Sequence, residues 1–188
     1  MVVAIVSAAA FSIAAPVSAV APLPDDPACT AQDRVFMNRA VELAAAASAH
    51  GNGAYGAVLV KGGKIILEFE TCGNTTGDVT QHAETGLISL ASRTLGKDAF
   101  TDATLYTSTE PCIMCCGAIS AAGLKKFVYG TSAWQVARLR GGTVPANPLE
   151  CREVFARRSR DDLVILGPLM EAEGLAVHAV HLARVAKP

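Results

Sequence analysis

His82-Ala83-Glu84 and, downstream, Pro111-Cys112-Ile113-Met114-Cys115 are the two stretches that decide how this chain folds. Each follows an extended, apolar pattern and opens a helical one, so two helix N-termini are expected to converge on one point. One imidazole and two thiolates suit zinc, and three protein ligands leave a tetrahedral ion one position short. That open position separates a catalytic zinc site from a closed structural one. The i, i+3 spacing puts Cys112 and Cys115 on one helix face. Cys116 points about 100° away from its neighbour and is excluded as a further ligand. Glu84 stands beside His82, where a carboxylate can carry protons without binding the metal. The positive helix ends favour thiolate over thiol. A Cys-x-x-Cys between a strand and a helix also fits a thiol redox protein, and a closed zinc site is the other alternative.

Outward from these motifs the chain alternates. Thr30-Ala31-Gln32-Asp33 has the form of a helix N-terminus. Phe36, Ala40, Leu43, Ala44 and Ala47 then recur at helical spacing until His50-Gly51-Asn52-Gly53 stops the helix. Tyr55 to Val60 and Ile65 to Phe69, joined by Lys61-Gly62-Gly63-Lys64, read as a hairpin. A helix is expected from His82 to Arg93, a strand from Thr104 to Thr107, and a helix from Pro111 to Ala122. Pro111 at the first helical position and Gly123 past the end are favourable punctuation. Lys126 to Tyr129 forms the next strand, Thr131 to Pro148 an irregular loop, and Glu150 to Arg157 a short helix. Leu163 to Leu166 is the last strand. Leu169 to Val185 is the final helix, with Leu169, Ala172, Ala176, Val180 and Ala183 on one apolar face. His178 and His181 fall off that face and are expected at the surface or a pocket rim. The fold class is α/β: a three-layer α/β/α sandwich on a mixed five-stranded sheet, mostly parallel with one antiparallel hairpin.

At 188 residues the chain is one domain's worth, with a net charge of −1 and no basic excess to announce a nucleic-acid partner. Lys125-Lys126, Arg138/Arg140 and Arg157-Arg158/Arg160 read as solvated faces. The first 24 residues carry no charged side chain, and Ala19-Val20-Ala21 offers the small residues a signal peptidase wants. Residues 1–21 are therefore expected to be a signal peptide, 22–29 a linker and 30–188 the catalytic domain. The mature protein would be exported, with no stable membrane association. A retained anchor or a misassigned start, with a cytoplasmic protein, are the alternatives. Beyond the two proposed ligands, Cys72 and Cys151 are expected in the core or pocket and Cys29 in the linker; no pairing among these and Cys116 follows from sequence.

The His-x-Glu…Pro-Cys-x-x-Cys pattern resembles the cytidine/deoxycytidylate deaminase superfamily. Similarity is greatest to the branch of guanine, cytosine and tRNA adenosine deaminases. It extends through Tyr55-Gly56-Ala57-Val58, the run Asp78 to Glu84, the run Leu105 to Cys112 and Val128-Tyr129-Gly130-Thr131-Ser132. Cys151 to Ala156 and Gly167 to Glu171 resemble the C-terminal part of a nucleoside-deaminase subgroup. The resemblance implies a homodimeric Zn2+ enzyme that converts a ring amine to a carbonyl plus ammonia. His82, Cys112 and Cys115 would be its ligands and Glu84 its proton carrier. Two departures stand out. The family's Pro-Phe-Gly-Ala is Ala54-Tyr55-Gly56-Ala57 here, and its substrate-binding Asn falls on Thr71, unless a shifted register restores Asn74. By resemblance Tyr55 lines the pocket, the Ala83 N–H meets a ring carbonyl, and Trp134 either stacks on the base or anchors a loop. Balanced charge points to a small ligand, and the resemblance implies that this partner is a free nucleobase or nucleoside. A tRNA or other nucleic-acid deaminase, which needs a basic channel, is the alternative.

Overall fold

The computed structural model describes residues 20–141 and 149–186. Its elements run α1 (Ala31–Ala49), β1 (Gly56–Lys61), β2 (Lys64–Glu70), α2 (Gly73–Thr76), α3 (Ala83–Thr94), a 3-10 turn (Lys97–Phe100), β3 (Ala103–Thr109) and α4 (Ile113–Ala122). They continue with β4 (Lys126–Thr131), α5 (Ala133–Arg140), α6 (Cys151–Arg157), β5 (Val164–Leu166) and α7 (Glu171–Val185). Thr30 starts α1 through a reciprocal cap, accepting from the Asp33 N–H at 3.1 Å while Asp33 accepts from the Thr30 N–H at 2.8 Å. Gly62 and Gly63, at φ +57° and +73°, make the two-residue turn between β1 and β2, whose twist demands positive φ at both positions.

The five strands lie in the order β2-β1-β3-β4-β5. β1 is antiparallel to β2 and β3, whereas β3, β4 and β5 run parallel. Alternate residues serve opposite faces. Val58, Val60, Tyr106 and Val128 pack under α1 and the start of α7. Ala57, Leu59, Leu105 and Phe127 pack under α3, α4 and α6. This is the expected three-layer sandwich, and it places the carboxyl ends of β3 and β4 beside the N-termini of α4 and α5, where open α/β sheets bind ligands.

Four local readings change. Pro111 is not the first helical residue: α4 begins at Ile113, and Cys112 is its N-cap, as His82 is for α3. Both caps have extended backbone (ψ 171° and 161°), so their side chains leave the helix and face each other. The expected loop after Thr131 contains α5, capped by Ser132, which accepts from the Gln135 N–H; residues 142–148 lie outside those described. On α7 the buried face is Glu171, Gly174, Leu175 and His178, while Ala172, Ala176, Val180 and Ala183 face outward. The cause is close approach: a Cβ on Gly174 would stand 1.9 Å from Thr131 Oγ1, so the glycine face meets β4. Hydrogen bonds satisfy Glu171 and His178 on that face, from the Ser132 N–H and with the Thr109 hydroxyl.

Residues 22–29, expected as a linker, are fastened to the domain. Asp26 accepts from the Gly167 N–H (3.0 Å), Asp25 from the Met170 N–H (2.8 Å), and buried Glu171 from the Leu23 and Ser132 N–H groups. All of the expected leader before Val20 lies outside the described residues. Among those described, no helix is long and apolar enough to cross a membrane.

Candidate active site

The N-caps of α3 and α4 bring the proposed ligands together. Cys112 Sγ lies 3.6 Å from Cys115 Sγ, and His82 Nδ1 lies 3.7 Å from the first sulfur and 3.6 Å from the second. A tetrahedral zinc with Zn–S near 2.3 Å and Zn–N near 2.05 Å has ligand–ligand edges of about 3.5–3.8 Å. The donor set therefore fits zinc with one position left open. A sulfur separation of 3.6 Å is far beyond the roughly 2.05 Å of a disulfide, and both cysteines are free. Contact with Cys115 draws the Cys112 thiol down to about 4, toward the thiolate a metal needs, and the same contact with burial pushes Cys115 up. The Cys112 sulfur in turn raises the His82 pKa. Cys116, its sulfur directed at the Pro111 carbonyl, stays out of the cluster.

Glu84, in the first turn of α3, is buried against this triad. Its Oε2 accepts from the Cys115 thiol at 3.3 Å and its Oε1 from the Thr107 hydroxyl at 2.9 Å. Burial is the main cause of its raised pKa, so the carboxyl holds a proton more readily than a free glutamate. Thr107, on β3, was not singled out by sequence because a strand threonine carries no pattern of its own.

The cluster opens into a cleft of about 470 Å³, within the range of small-ligand sites. Ile113 and Leu149 are among its lining residues, and α5 supplies Ala133, Val136, Ala137 and Arg140 at helical spacing. Trp134 is half-buried on the next face of α5, about 100° round, and is not among the lining residues. Tyr55 does line the cleft; its hydroxyl accepts from Arg140 and its ring meets His178 edge-on at 5.4 Å. Thr71 is outside the lining: its hydroxyl donates to the Gln81 carbonyl at 2.7 Å, closing the loop that delivers His82. Asn74 is exposed on α2 and donates to the Gly51 carbonyl. Ala83 is buried at the first position of α3, so its N–H is one that the helix itself leaves unpaired.

Two further residues shape the cleft. Buried Glu110 accepts from the Ala133 N–H (2.9 Å) and the Cys151 N–H (2.8 Å), tying the starts of α5 and α6 to the short segment between the end of β3 and Cys112. His178 is buried, not at the surface, with Nε2 2.9 Å from Thr109 Oγ1. The Ser-x-x-Gln of Ser132 to Gln135 is the sequence signal that would have found α5; nothing comparable marks Glu110 or His178.

Comparison with known proteins agrees with this geometry. The cytidine and deoxycytidylate deaminase zinc-binding region matches residues 30–131. A probable cytosine deaminase of Schizosaccharomyces pombe is 32% identical over 78% of this chain and 90% of its own length. The guanine deaminase of Bacillus subtilis is 45% identical over 50% of this chain and 61% of its own. A solved structure of a tRNA:A34 deaminase, acting in A-to-I editing at the wobble position, superposes with TM-score 0.63 at 30% identity, covering 76% of this chain and 98% of that one.

Proposed function

The chain belongs to the cytidine and deoxycytidylate deaminase zinc-binding family, and from that premise we propose that it hydrolytically deaminates a small nucleobase or nucleoside. The ring amine leaves as ammonia and the carbonyl oxygen comes from water. Zinc held by His82, Cys112 and Cys115 supplies a Lewis acid that lowers the pKa of water from about 15.7 to about 7. Glu84 carries the protons: as carboxylate it accepts one from water, and as acid it returns protons to the ring nitrogen and the departing amine. Burial, by raising its pKa, suits the second task. Ala83 offers its N–H to a ring carbonyl of the base. The observation that carries the proposal is the buried Glu84 carboxyl against a His/Cys/Cys set with an open side toward a small cleft.

A tRNA deaminase is the second reading, supported by the similarity to the tRNA:A34 enzyme. The net charge of −1 weighs against it, because a backbone channel for RNA requires a basic surface. Export after cleavage near Ala21 and assembly as a homodimer belong to the same proposal. Ammonia release by the zinc-loaded protein should be assayed with guanine, cytosine, adenine, their nucleosides and a tRNA anticodon stem-loop. Turnover of at least one base or nucleoside, with little on the RNA, is the expected result; robust deamination of the stem-loop alone overturns it. Glu84→Gln should retain zinc and lose about 10²- to 10⁴-fold in rate.

A further inference from the structure

One end of the cleft plays no part in the proton chemistry. The N–H of Ala133 is fixed at the metal end by Glu110, which stands two residues before Cys112. Seven residues later on the same face, at about 1.5 Å per residue, Arg140 lies about 10 Å further along α5. Arg140 is exposed, lines the cleft and donates to the Tyr55 hydroxyl oxygen. Among the described residues it forms no ion pair. No other arginine or lysine is among the described lining residues, whereas the metal end holds two carboxyls and two cysteines. Behind Arg140, burial and its own charge lower His178 to about 4 and also lower His181, so neither imidazole adds or competes for charge near neutral pH.

The pair therefore presents donors only. The guanidinium keeps further N–H groups in a planar fork, and Tyr55, whose oxygen is already used as acceptor, has its O–H proton left to give. We propose that Arg140 and Tyr55 form an oxyanion-binding subsite, and that the preferred substrate carries an anionic oxygen group, phosphate or carboxylate, beyond the ring that loses its amine. The ring itself lies along the apolar wall of Val136, Ala137 and Ile113. This rests on the deaminase reading of the cleft and adds to it a substrate class and two specificity residues.

Binding to the zinc-loaded Glu84→Gln variant, which does not consume its ligand, tests the subsite apart from turnover. Calorimetry should compare cytidine, guanosine and adenosine with their 5′-monophosphates, and cytosine with 5-carboxycytosine; the two arms separate phosphate from carboxylate. At least one anionic partner should bind about tenfold or more tightly than its neutral counterpart, as charge-assisted hydrogen bonds do. That preference should weaken with salt, collapse in Arg140→Gln, and survive only in part in Arg140→Lys, which keeps the charge and loses the fork. An unchanged melting temperature certifies that the Arg140 variants fold. Equal binding of neutral and anionic partners, or a preference that survives Arg140→Gln, overturns the subsite. Arg140-dependent binding of a stem-loop RNA without any for the monophosphates overturns it as well, assigning the arginine to a polynucleotide backbone. If the Arg140-dependent preference holds but the wild type deaminates nothing, the subsite stands and the deaminase reading falls.

Discussion

Glu110→Gln should destabilise the protein without touching the metal ligands. Each carboxylate oxygen of Glu110 receives one backbone N–H, from Ala133 at 2.9 Å and Cys151 at 2.8 Å, and the side chain is only 8% exposed. An amide has a single acceptor oxygen, so one of these N–H groups would face an NH2 in place of an oxygen. The remaining bond loses its charge assistance, costing about 1 kcal/mol, and the orphaned donor costs about 1–3 kcal/mol, for a total of about 2–4 kcal/mol. For a chain of 188 residues, each kcal/mol moves the melting temperature by about 2–4 °C, so a drop of about 5–15 °C is expected. Zinc-loaded wild type and variant should be compared by calorimetry, with Glu150→Gln as control. Glu150 is exposed at the N-cap of α6 and makes no capping hydrogen bond, so its change should cost less than about 0.5 kcal/mol. A Glu110→Gln protein melting within about 2 °C of wild type would show that the two amides find other partners, and that this carboxyl does not hold α5 and α6.

Three shorter predictions follow from the same structure. Cys112→Ser should lose both zinc and stability, since the ion cross-links the starts of α3 and α4; elemental analysis that finds zinc retained at one per chain would refute this ligand assignment. Buried His178, with its pKa lowered to about 4 by burial first and by Arg140 and His181 after it, stays neutral in the folded protein while the unfolded chain protonates near 6.5. The unfolded state then binds the extra proton, so this stability is complete above pH 6.5 and is lost as pH falls toward 4, by up to about 3 kcal/mol. Urea titrations at several pH values should show a flatter dependence for His178→Gln; parallel curves would refute it. Native protein sequenced from its N-terminus should begin near Pro22, and a cytosolic product beginning at Met1 would rule out export.

The side chains that gather at the candidate site were legible in the sequence because their chemistry is local. His82, Glu84, Cys112 and Cys115 declare themselves by residue type and by a spacing that any helix N-terminus converts to one face. The α/β alternation and the Thr30 cap were legible for the same reason, since hydrophobic period and capping pattern are properties of neighbours in the chain. What lies across space was not. The alanine stripe of α7 looked like its core face, yet Gly174 allowed close approach to β4 and turned Glu171 and His178 inward, where Ser132 and Thr109 satisfy them. Thr71, aligned by count with a substrate contact, spends its hydroxyl on the Gln81 carbonyl. Trp134 sits one helical step away from the cleft, and Arg140 of the same helix points into it. A buried polar group is stable only where a partner meets it, and which partner does so is decided by the tertiary packing of segments that the sequence pattern treats separately.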